Sequence, residues 1–499
     1  MFSSKKSDTL LAKIRNGAQL TGREKLELIV ELSIPSMLAQ ITTVMMFFID
    51  AAMVGHLGAA ASASIGLVET TTWLMGSILS AVSLGFSVQV AHFIGANDFT
   101  RARQVFRHAL VCGVAFSVLM ALVGASIHQS LPYWLGGKDD IAPMSSGYFL
   151  IFSLTLPAVL LFHLMSAMLK SAGEMRVPSL LSIMMCGLDV VFNYLFIYVL
   201  KLGVIGAALG TMSAYFFTVI PMAWQAIYKN KIIALRLDRT PFVWMGSYVR
   251  NAVKISFPVA VQNILMGSAQ VVSTLIVAPL GNVAIAANSF AFTAESLCLQ
   301  HLLMGGAQIV STMIVAPLGT IAIAAHSLAI TVESLCYMPG YGVGDAATTL
   351  VGQTYGAGRS DLCKNFAHLT IGVGMLVMAF MGVVMFVFAP EMIGFLSPVE
   401  EIRQLGAMVL RIEAFAEPFF AAAIVSYAVC VASGDTLKPA AMSLFSMWCV
   451  RLTLAYVLAQ SYGLRGVWVA MATELTFRGT IFLLRIRRGS WLKGIKAKA

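Results

Sequence analysis

Charged residues are scarce in this sequence. Asp, Glu, Lys and Arg make up 11% of its 499 residues, whereas soluble proteins carry roughly 25%. Hydrophobic residues make up 59%, and apolar segments of about 20 residues, the length that crosses a bilayer, fill nearly the whole chain. This composition excludes a soluble protein and predicts an all-α polytopic membrane protein. Any chemistry must lie within the membrane or on short loops.

Catalytic and cofactor-binding signatures are also missing. The sequence has no HExxH, no GxSxG, no P-loop and no metal-spaced His/Cys cluster. Its seven cysteines lie mostly within apolar runs without CxxC spacing, which is typical of free packing residues. We therefore expect no enzyme and no cofactor. Transport without a nucleotide site must draw on an ion gradient, in which one charge crossing 100 mV supplies about 2.3 kcal/mol.

The basic residues lie between apolar runs, which argues against a nucleic-acid partner despite the net charge of +10. Six of them precede the first apolar run: Lys5, Lys6, Lys13, Arg15, Arg23 and Lys25. That run has no short h-region with a small-residue cleavage site, so no removable signal peptide is expected. The positive-inside rule predicts that both termini are cytoplasmic.

Hydropathy divides the chain into two halves. We predict a cytoplasmic segment 1–33, an N-lobe of six spans at 34–227, a basic linker at 228–254, a C-lobe at 255–485 and a basic tail at 486–499. The spans are predicted near 34–57, 62–92, 109–131, 146–169, 178–200 and 204–226, and, in the second half after two further spans, near 369–389, 404–431, 440–460 and 464–484.

The second half repeats the first. VAHFIGAN at Val90 matches VGQTYGAG at Val351, and SAGEMRVP at Ser171 matches ASGDTLKP at Ala432, both at an offset of 261 residues. LGVIG and YGLRG match at an offset of 260. Several motifs at one offset indicate parallel structural repeats, which are typical of secondary transporters with substrate sites near the midplane.

A tandem duplication within 265–336 interrupts this repeat. The segment 265–298 is followed by a near copy, 303–336, which begins 38 residues later. The flanks both look cytoplasmic, so the insert adds two crossings or none. We predict a short extra helical hairpin from 283–299 and 302–318. A duplication without its own function and a sequence-assembly error are the alternatives.

Three polar residues within first-half spans are candidate site residues: Asp50, Asp189 and Asn193. Asp50 is the acidic residue of the run 34–58, where a charge costs at least about 2.5 to 3.5 kcal/mol. Asp189 and Asn193 are four residues apart, so they lie on one face of the fifth span. Their hard oxygen ligands suit Na⁺ or a shared proton. The alternatives are that Asp50 reaches water at the helix end and that Asn193 is an interhelical packing contact.

The second half has its own buried charges. Glu417 and Arg451 fall at similar depth, so an ion pair between them is plausible and would lower the cost of burying both. Glu413 and Asp345, if unpaired, are candidates for contact with a cationic substrate.

Together these motifs resemble the multidrug and toxic compound extrusion (MATE) family over essentially the whole chain. The resemblance is carried by PSMLAQ, FIDAAMVGHLG, the paired ends VAHFIGAN and LVGQTYGAG, SAGEMRVP with ASGDTLKP, and GVIGAALGT. It implies a V-shaped bundle of two six-helix lobes that exports cationic, amphipathic compounds by H⁺ or Na⁺ antiport. It also implies a first-lobe cation site at Asp50, Asp189, Asn193 and Thr211.

Two departures bear on the mechanism that the resemblance implies. The family's fifth-span site usually carries Asn first and Asp four residues later, or two Asn, whereas the order here is Asp189 then Asn193. The acid that some members carry in the seventh span is replaced by Met266 and Met304. We expect a monomeric antiporter in a bacterial inner membrane with small cationic substrates. A lipid-linked saccharide flippase of related architecture is the alternative.

Overall fold

Helices make up most of the described chain. The computed structural model describes residues 5–238, 240–277, 320–396 and 399–492, and within them it contains α, π and 3-10 helices and no strand. The predicted all-α polytopic fold is confirmed. The extra segments of the tandem duplication, and with them the predicted hairpin, lie outside the described residues.

The helices run in the following order. The first part contains α1 Lys5–Arg15, α2 Gly22–Gly55, α3 Ala59–Gly95, α4 Phe99–Ile127, α5 Leu131–Trp134, α6 Ala142–Ser171, α7 Arg176–Asn193, α8 Gly203–Trp224 and α9 Gly246–Val277. The second contains α10 Thr320–Gly356, α11 Ser360–Leu396, α12 Glu400–Glu413, α13 Glu417–Ala432, α14 Leu437–Phe445 and α15 Leu452–Arg488. Tyr194–Val199, Gln225–Lys229 and Ser446–Arg451 are π-helical continuations of α7, α8 and α14.

The described helices match the predicted membrane spans. Within the described residues, eight stretches are long and apolar enough to cross a membrane, and α12 and α13, which meet at a bend of 58°, together form a ninth candidate. One of the eight, Leu437–Arg488, has non-helical backbone at Gly463. Because this break falls between 440–460 and 464–484, the stretch holds both of those predicted spans.

The chain divides into two compact units. The first contains the residues up to Leu20, the chain from Thr42 through α9, and Gly352–Gly358 at the end of α10. The second contains Thr21–Ile41, α10 up to Val351, and the chain from Arg359. Helices α2 and α10 therefore each contribute residues to both units. The lobe boundaries at 34–227 and 255–485 stay predictions.

The predicted repeat is confirmed in the backbone. Matched motif positions share a left-handed backbone conformation, which is why glycine occupies five of these six positions: Asn97 and Gly358 with φ of 58° and 72°, Gly173 and Gly434 with 89° and 84°, Gly203 and Gly463 with 58° each. Matching positive φ values at offsets of 261, 261 and 260 residues mean that the chain reverses at equivalent positions in the two halves.

Candidate cation site and buried charge cluster

Helices α2 and α7 bring the predicted first-half site residues together. The amide nitrogen Nδ2 of Asn193 donates to Asp50 Oδ1 at 3.0 Å and to Asp189 Oδ2 at 3.1 Å. The second contact is the expected result of a four-residue spacing on one helix. The first joins residues 143 positions apart. Asp50 and Asp189 also contact each other, and Thr211 on α8 contacts Asp189. All four predicted residues therefore meet in one cluster within the first unit.

Two glycines let α8 approach this cluster closely. A Cβ at Gly210 would lie 2.0 Å from Asn193 Oδ1 and 2.9 Å from the Asn193 backbone nitrogen. A Cβ at Gly206 would lie 2.8 Å from the Phe196 carbonyl carbon and oxygen. Their spacing is a GxxxG pattern, which is common where transmembrane helices pack backbone to backbone. Sequence analysis did not single out this signal, although GAALG stands in the sequence beside the predicted site.

Two members of the cluster are withdrawn from solvent, whereas Asp50 and Thr211 are half-buried. The exposed fraction is 0% for Asp189 and 2% for Asn193. Asp189 Oδ1 and Asn193 Oδ1 accept no hydrogen bond within the part of the chain that the structure describes. Buried oxygens without donors are costly. A cluster of two contacting carboxylates with unsatisfied oxygens is therefore chemically suited to take up a proton or a small cation.

A tyrosine that sequence reasoning missed fixes α7 against α2. Tyr198 Oη donates to the Met53 carbonyl oxygen at 2.7 Å, three residues after Asp50 on α2. Tyr198 lies in the π-helical segment Tyr194–Val199. Such segments replace the i to i−4 hydrogen bonding by i to i−5 and often occur at functional sites. No simple sequence pattern announces this change of helical pitch.

In the second unit, the predicted acids Glu413 and Glu417 flank the bend between α12 and α13. Both residues are fully buried, with exposed fractions of 0%. None of their four carboxylate oxygens has a hydrogen-bond donor among the described residues. A charge buried without donors or a cation is costly, so the electrically neutral, protonated acid is the form that suits this arrangement. Glu413 was a candidate for contact with a cationic substrate if unpaired, and within the described residues it meets that condition.

The sequence made an ion pair between Glu417 and Arg451 plausible, but the structure does not contain it. The Arg451 guanidinium, 3% exposed, contacts Met471 Sδ instead. The ion pair of this region joins Arg478 Nε to Glu474 Oε1 at 3.1 Å, and Ser446 Oγ donates to the same oxygen at 2.6 Å. Counting residues from the loops gives depth but not azimuth around each helix, so similar depth did not imply contact.

Asp345, the other candidate for contact with a cationic substrate, accepts a hydrogen bond from a serine. Ser36 Oγ donates to Asp345 Oδ2 at 2.5 Å, within the second unit. The carboxylate is half-buried, and Ser36 is 1% exposed. Asp345 therefore already has a hydrogen-bond donor, which distinguishes it from Glu413 and Glu417.

Outside the spans, Glu174 lies in the turn between α6 and α7. Burial raises the pKa of its carboxyl group above the ordinary value of 4.5, while the backbone amides of Val177 and Arg176 oppose this by donating to the carboxylate. It occupies the position that Asp435 takes in the matching motif of the second half. In the second half, Asp435 forms an ion pair with Arg485. The acid at this turn therefore accepts hydrogen bonds from backbone amides in the first repeat and pairs with an arginine in the second.

In the described ranges, no group of three or more His, Cys, Asp and Glu side chains is arranged to hold a metal ion. None of the six described cysteines forms a disulfide with another: Cys112, Cys186, Cys336, Cys363, Cys430 and Cys449. Any small cation at the first-half cluster would thus rely on two carboxylates together with amide and hydroxyl oxygens.

Comparison with known proteins gives one consistent assignment. The probable multidrug resistance protein NorM of Thermotoga maritima is 24% identical over 471 residues, covering 93% of each chain. NorM of Pasteurella multocida is 22% identical over 475 residues, covering 92% of each. A solved structure described as the outward-facing conformation of a multidrug resistance MATE family transporter is 20% identical with a TM-score of 0.80, covering 94% of this chain and 97% of that one.

The family model described as MatE matches residues 35–195 and 296–457. These two matches cover well over half of the chain, one in each half, as expected for a protein built from two repeats. The predicted resemblance is therefore confirmed, and this chain belongs to the MatE (MATE) family of transporters.

Proposed function

We propose that this chain is a secondary active antiporter that exports cationic, amphipathic small molecules in exchange for a cation bound between Asp50 and Asp189. The export of drugs is supported by relatives named as multidrug resistance or multidrug export proteins. The exchange is supported by the single observation that two contacting carboxylates are held by one amide in a buried site.

Charge balance explains why this site would take up a cation. Two ionised carboxylates in contact repel each other strongly where water is absent. One proton shared between Asp50 and Asp189, or one Na⁺ ion coordinated by both, removes this repulsion. Release of the cation restores the repulsion and favours separation of α2 from α7. Such an equilibrium couples ion binding to a movement of helices, which is the requirement for antiport.

The orientation of Asn193 favours a proton over Na⁺. Its NH₂ group donates to both carboxylates, and its Oδ1 points toward Gly210. A proton between Asp50 and Asp189 is compatible with this orientation. A Na⁺ ion requires oxygen ligands, so Asn193 could join its coordination only after rotation of the amide by half a turn. We therefore propose H⁺ as the coupling ion.

In the second unit, Glu413 and Glu417 are proposed to exchange protons for a positively charged substrate. The protonated acids suit the buried, donor-free arrangement. A cationic group that reached them would provide the missing charge partner and displace the protons. Asp345 and Arg451 are assigned supporting roles, because Asp345 already accepts a hydrogen bond from Ser36 and Arg451 contacts Met471.

For the orientation in the membrane, we propose cytoplasmic termini in a bacterial inner membrane. The support is the basic content of the segment before α2 and of the end of α15, where Arg485, Arg487 and Arg488 lie in the last turn. The positive-inside rule places such ends in the cytoplasm.

The experiment compares Asp50→Asn and Asp189→Asn with the wild-type chain in a drug-sensitive strain without efflux pumps. Both variants are expected to stay in the membrane and to lose resistance to cationic drugs. In proteoliposomes, an imposed pH gradient should drive drug transport by the wild type without added Na⁺. Asp98→Asn is the matched control, because Asp98 caps α4 through the Arg101 amide and Asn caps a helix equally well.

Retained resistance in Asp50→Asn would refute the coupling site. Transport that requires Na⁺ and ignores the pH gradient would refute the choice of ion while leaving the site intact. Movement of a lipid-linked saccharide, without drug export, would favour the flippase.

A further inference from the structure

A cleft of about 440 Å³ lies between α11 and α15 in the second unit. This volume is within the range of small-molecule sites, roughly 300 to 1,000 Å³. Seven residues line it: His368, Ile371, Gly372, Met375, Leu483, Ile486 and Arg487. None belongs to the acid cluster on α12 and α13, so the proposed transport function does not account for this cleft.

The wall of the cleft is mostly apolar. Ile371 and Ile486 are buried at its floor, with exposed fractions of 3% and 2%. A Cβ placed on Gly372 would meet nothing within 4 Å, so the absence of a side chain there helps to keep the cleft open. The adjoining residues Leu376 and Leu484 are 73% and 46% exposed, as expected for side chains that face acyl chains. A ligand of this wall is therefore a hydrocarbon chain.

One end of the cleft is cationic. His368 and Arg487 line it, and the Lys364 side chain lies near Gly489 just beyond the end of α15. Arg487 has no ion-pair partner among the described residues, whereas the nearby Arg485 is paired with Asp435. His368 Nδ1 lies 2.8 Å from the Lys364 carbonyl oxygen, so its imidazole ring is held against its own helix. This end is complementary to an anionic group.

We propose that this cleft binds one anionic phospholipid. The phosphate group contacts Arg487, and one acyl chain lies along Gly372, Met375 and Leu483. The basic end of α15 is the end that the positive-inside rule assigns to the cytoplasm, and basic pockets between helices on that side bind anionic headgroups. A bound lipid would bridge α11 and α15 at the point where the cleft separates them.

The test measures lipid retention by native mass spectrometry of the purified full-length protein. The probes are phosphatidylglycerol, phosphatidylcholine with matched acyl chains, and inorganic phosphate alone. The wild type is expected to prefer phosphatidylglycerol over phosphatidylcholine and to bind no inorganic phosphate, because the apolar wall contributes to binding. Equal retention of both lipids overturns the proposal on the wild-type protein alone. Binding of phosphate alone at comparable occupancy also overturns it, in favour of a soluble anion.

Two variants locate the site. Arg487→Ala is expected to reduce retention of phosphatidylglycerol about fivefold, the effect of one basic side chain at an anionic surface. Gly372→Leu is expected to fill the cleft and to reduce retention of both lipids. Arg488→Ala is the matched control, because this exposed neighbour does not line the cleft. Equal losses in Arg487→Ala and Arg488→Ala would refute the assignment to the cleft.

Discussion

Gly210→Ala tests the geometry of the candidate cation site most directly. The new Cβ would lie 2.0 Å from Asn193 Oδ1, and 2.9 Å from the Asn193 backbone nitrogen. Contacts under 3.0 Å do not occur at real Cβ atoms. The Asn193 side chain must therefore turn away, and α8 must shift from α7.

The size of the effect follows from the hydrogen bonds that this movement breaks. Asn193 donates to Asp50 and to Asp189, and a hydrogen bond to a charged group contributes about 1.5 to 3 kcal/mol. Losing both costs roughly 3 to 6 kcal/mol. Alanine recovers about 1 kcal/mol through its higher helix propensity. The expected net loss of stability is therefore about 2 to 5 kcal/mol.

The measurement is thermal unfolding of the detergent-purified protein, together with drug efflux in cells. Gly187→Ala is the control, because Gly187 lies in α7 and a Cβ there meets nothing within 4 Å. The control should gain about 1 kcal/mol from helix propensity, whereas Gly210→Ala should unfold at lower temperature and lose efflux. Equal stability of the two variants would refute the close approach of α8 to Asn193.

Three further predictions concern the rest of the chain. Gly463→Ala should destabilise the protein by about 1 to 3 kcal/mol, since φ of 58° and ψ of −139° suit glycine alone. Chemical denaturation measures the loss of stability. An unchanged stability would contradict the break in α15. Glu474→Gln should reduce the stability of the protein by about 3 to 5 kcal/mol, because it removes the ion pair of the buried Arg478 guanidinium. The double variant Glu474→Gln, Arg478→Met should recover most of the lost stability. A double variant that is no more stable than Glu474→Gln would refute the pairing. Burial raises the pKa of Glu174, so ionisation opposes folding and stability falls as the pH rises from the unfolded value near 4.5 to the higher folded value. Glu174→Gln should remove that fall in a pH series of melting temperatures, and an unchanged pH profile would contradict it.

The repeat could be predicted from the sequence because it depends on local backbone requirements. A left-handed turn between two helices needs Gly or Asn, and such residues recur at a constant offset in VAHFIGAN, VGQTYGAG, SAGEMRVP and ASGDTLKP. The structure places positive φ at matched positions such as Gly203 and Gly463. This backbone requirement depends on the identity of single residues, so it can be recognised in the sequence without knowledge of packing.

The charges on different helices of the second half could not be paired from the sequence. Glu417 and Arg451 share a depth, yet Arg451 contacts Met471, and the ion pair joins Glu474 to Arg478 on α15. The latter are four residues apart, so their pairing follows the i, i+4 rule within one helix. The rotation of one helix relative to another depends on the packing of all its neighbours, which no local pattern encodes.

The sequence by itself determined that the chain is a multi-pass membrane protein, the order of most of the described helices, the repeat and the residue types of the candidate site, because hydropathy, turn residues and the high cost of a buried charge are local properties. Only the tertiary structure decided that Asn193 joins Asp50 to Asp189, and that the missing side chain at Gly210 lets α8 approach Asn193. It also decided that Glu413 and Glu417 lack hydrogen-bond donors among the described residues, while Asp345 has one. These features depend on the distance and rotation between helices. They arise from packing over residues far apart in the chain, and for that reason they appear only once the chain is folded.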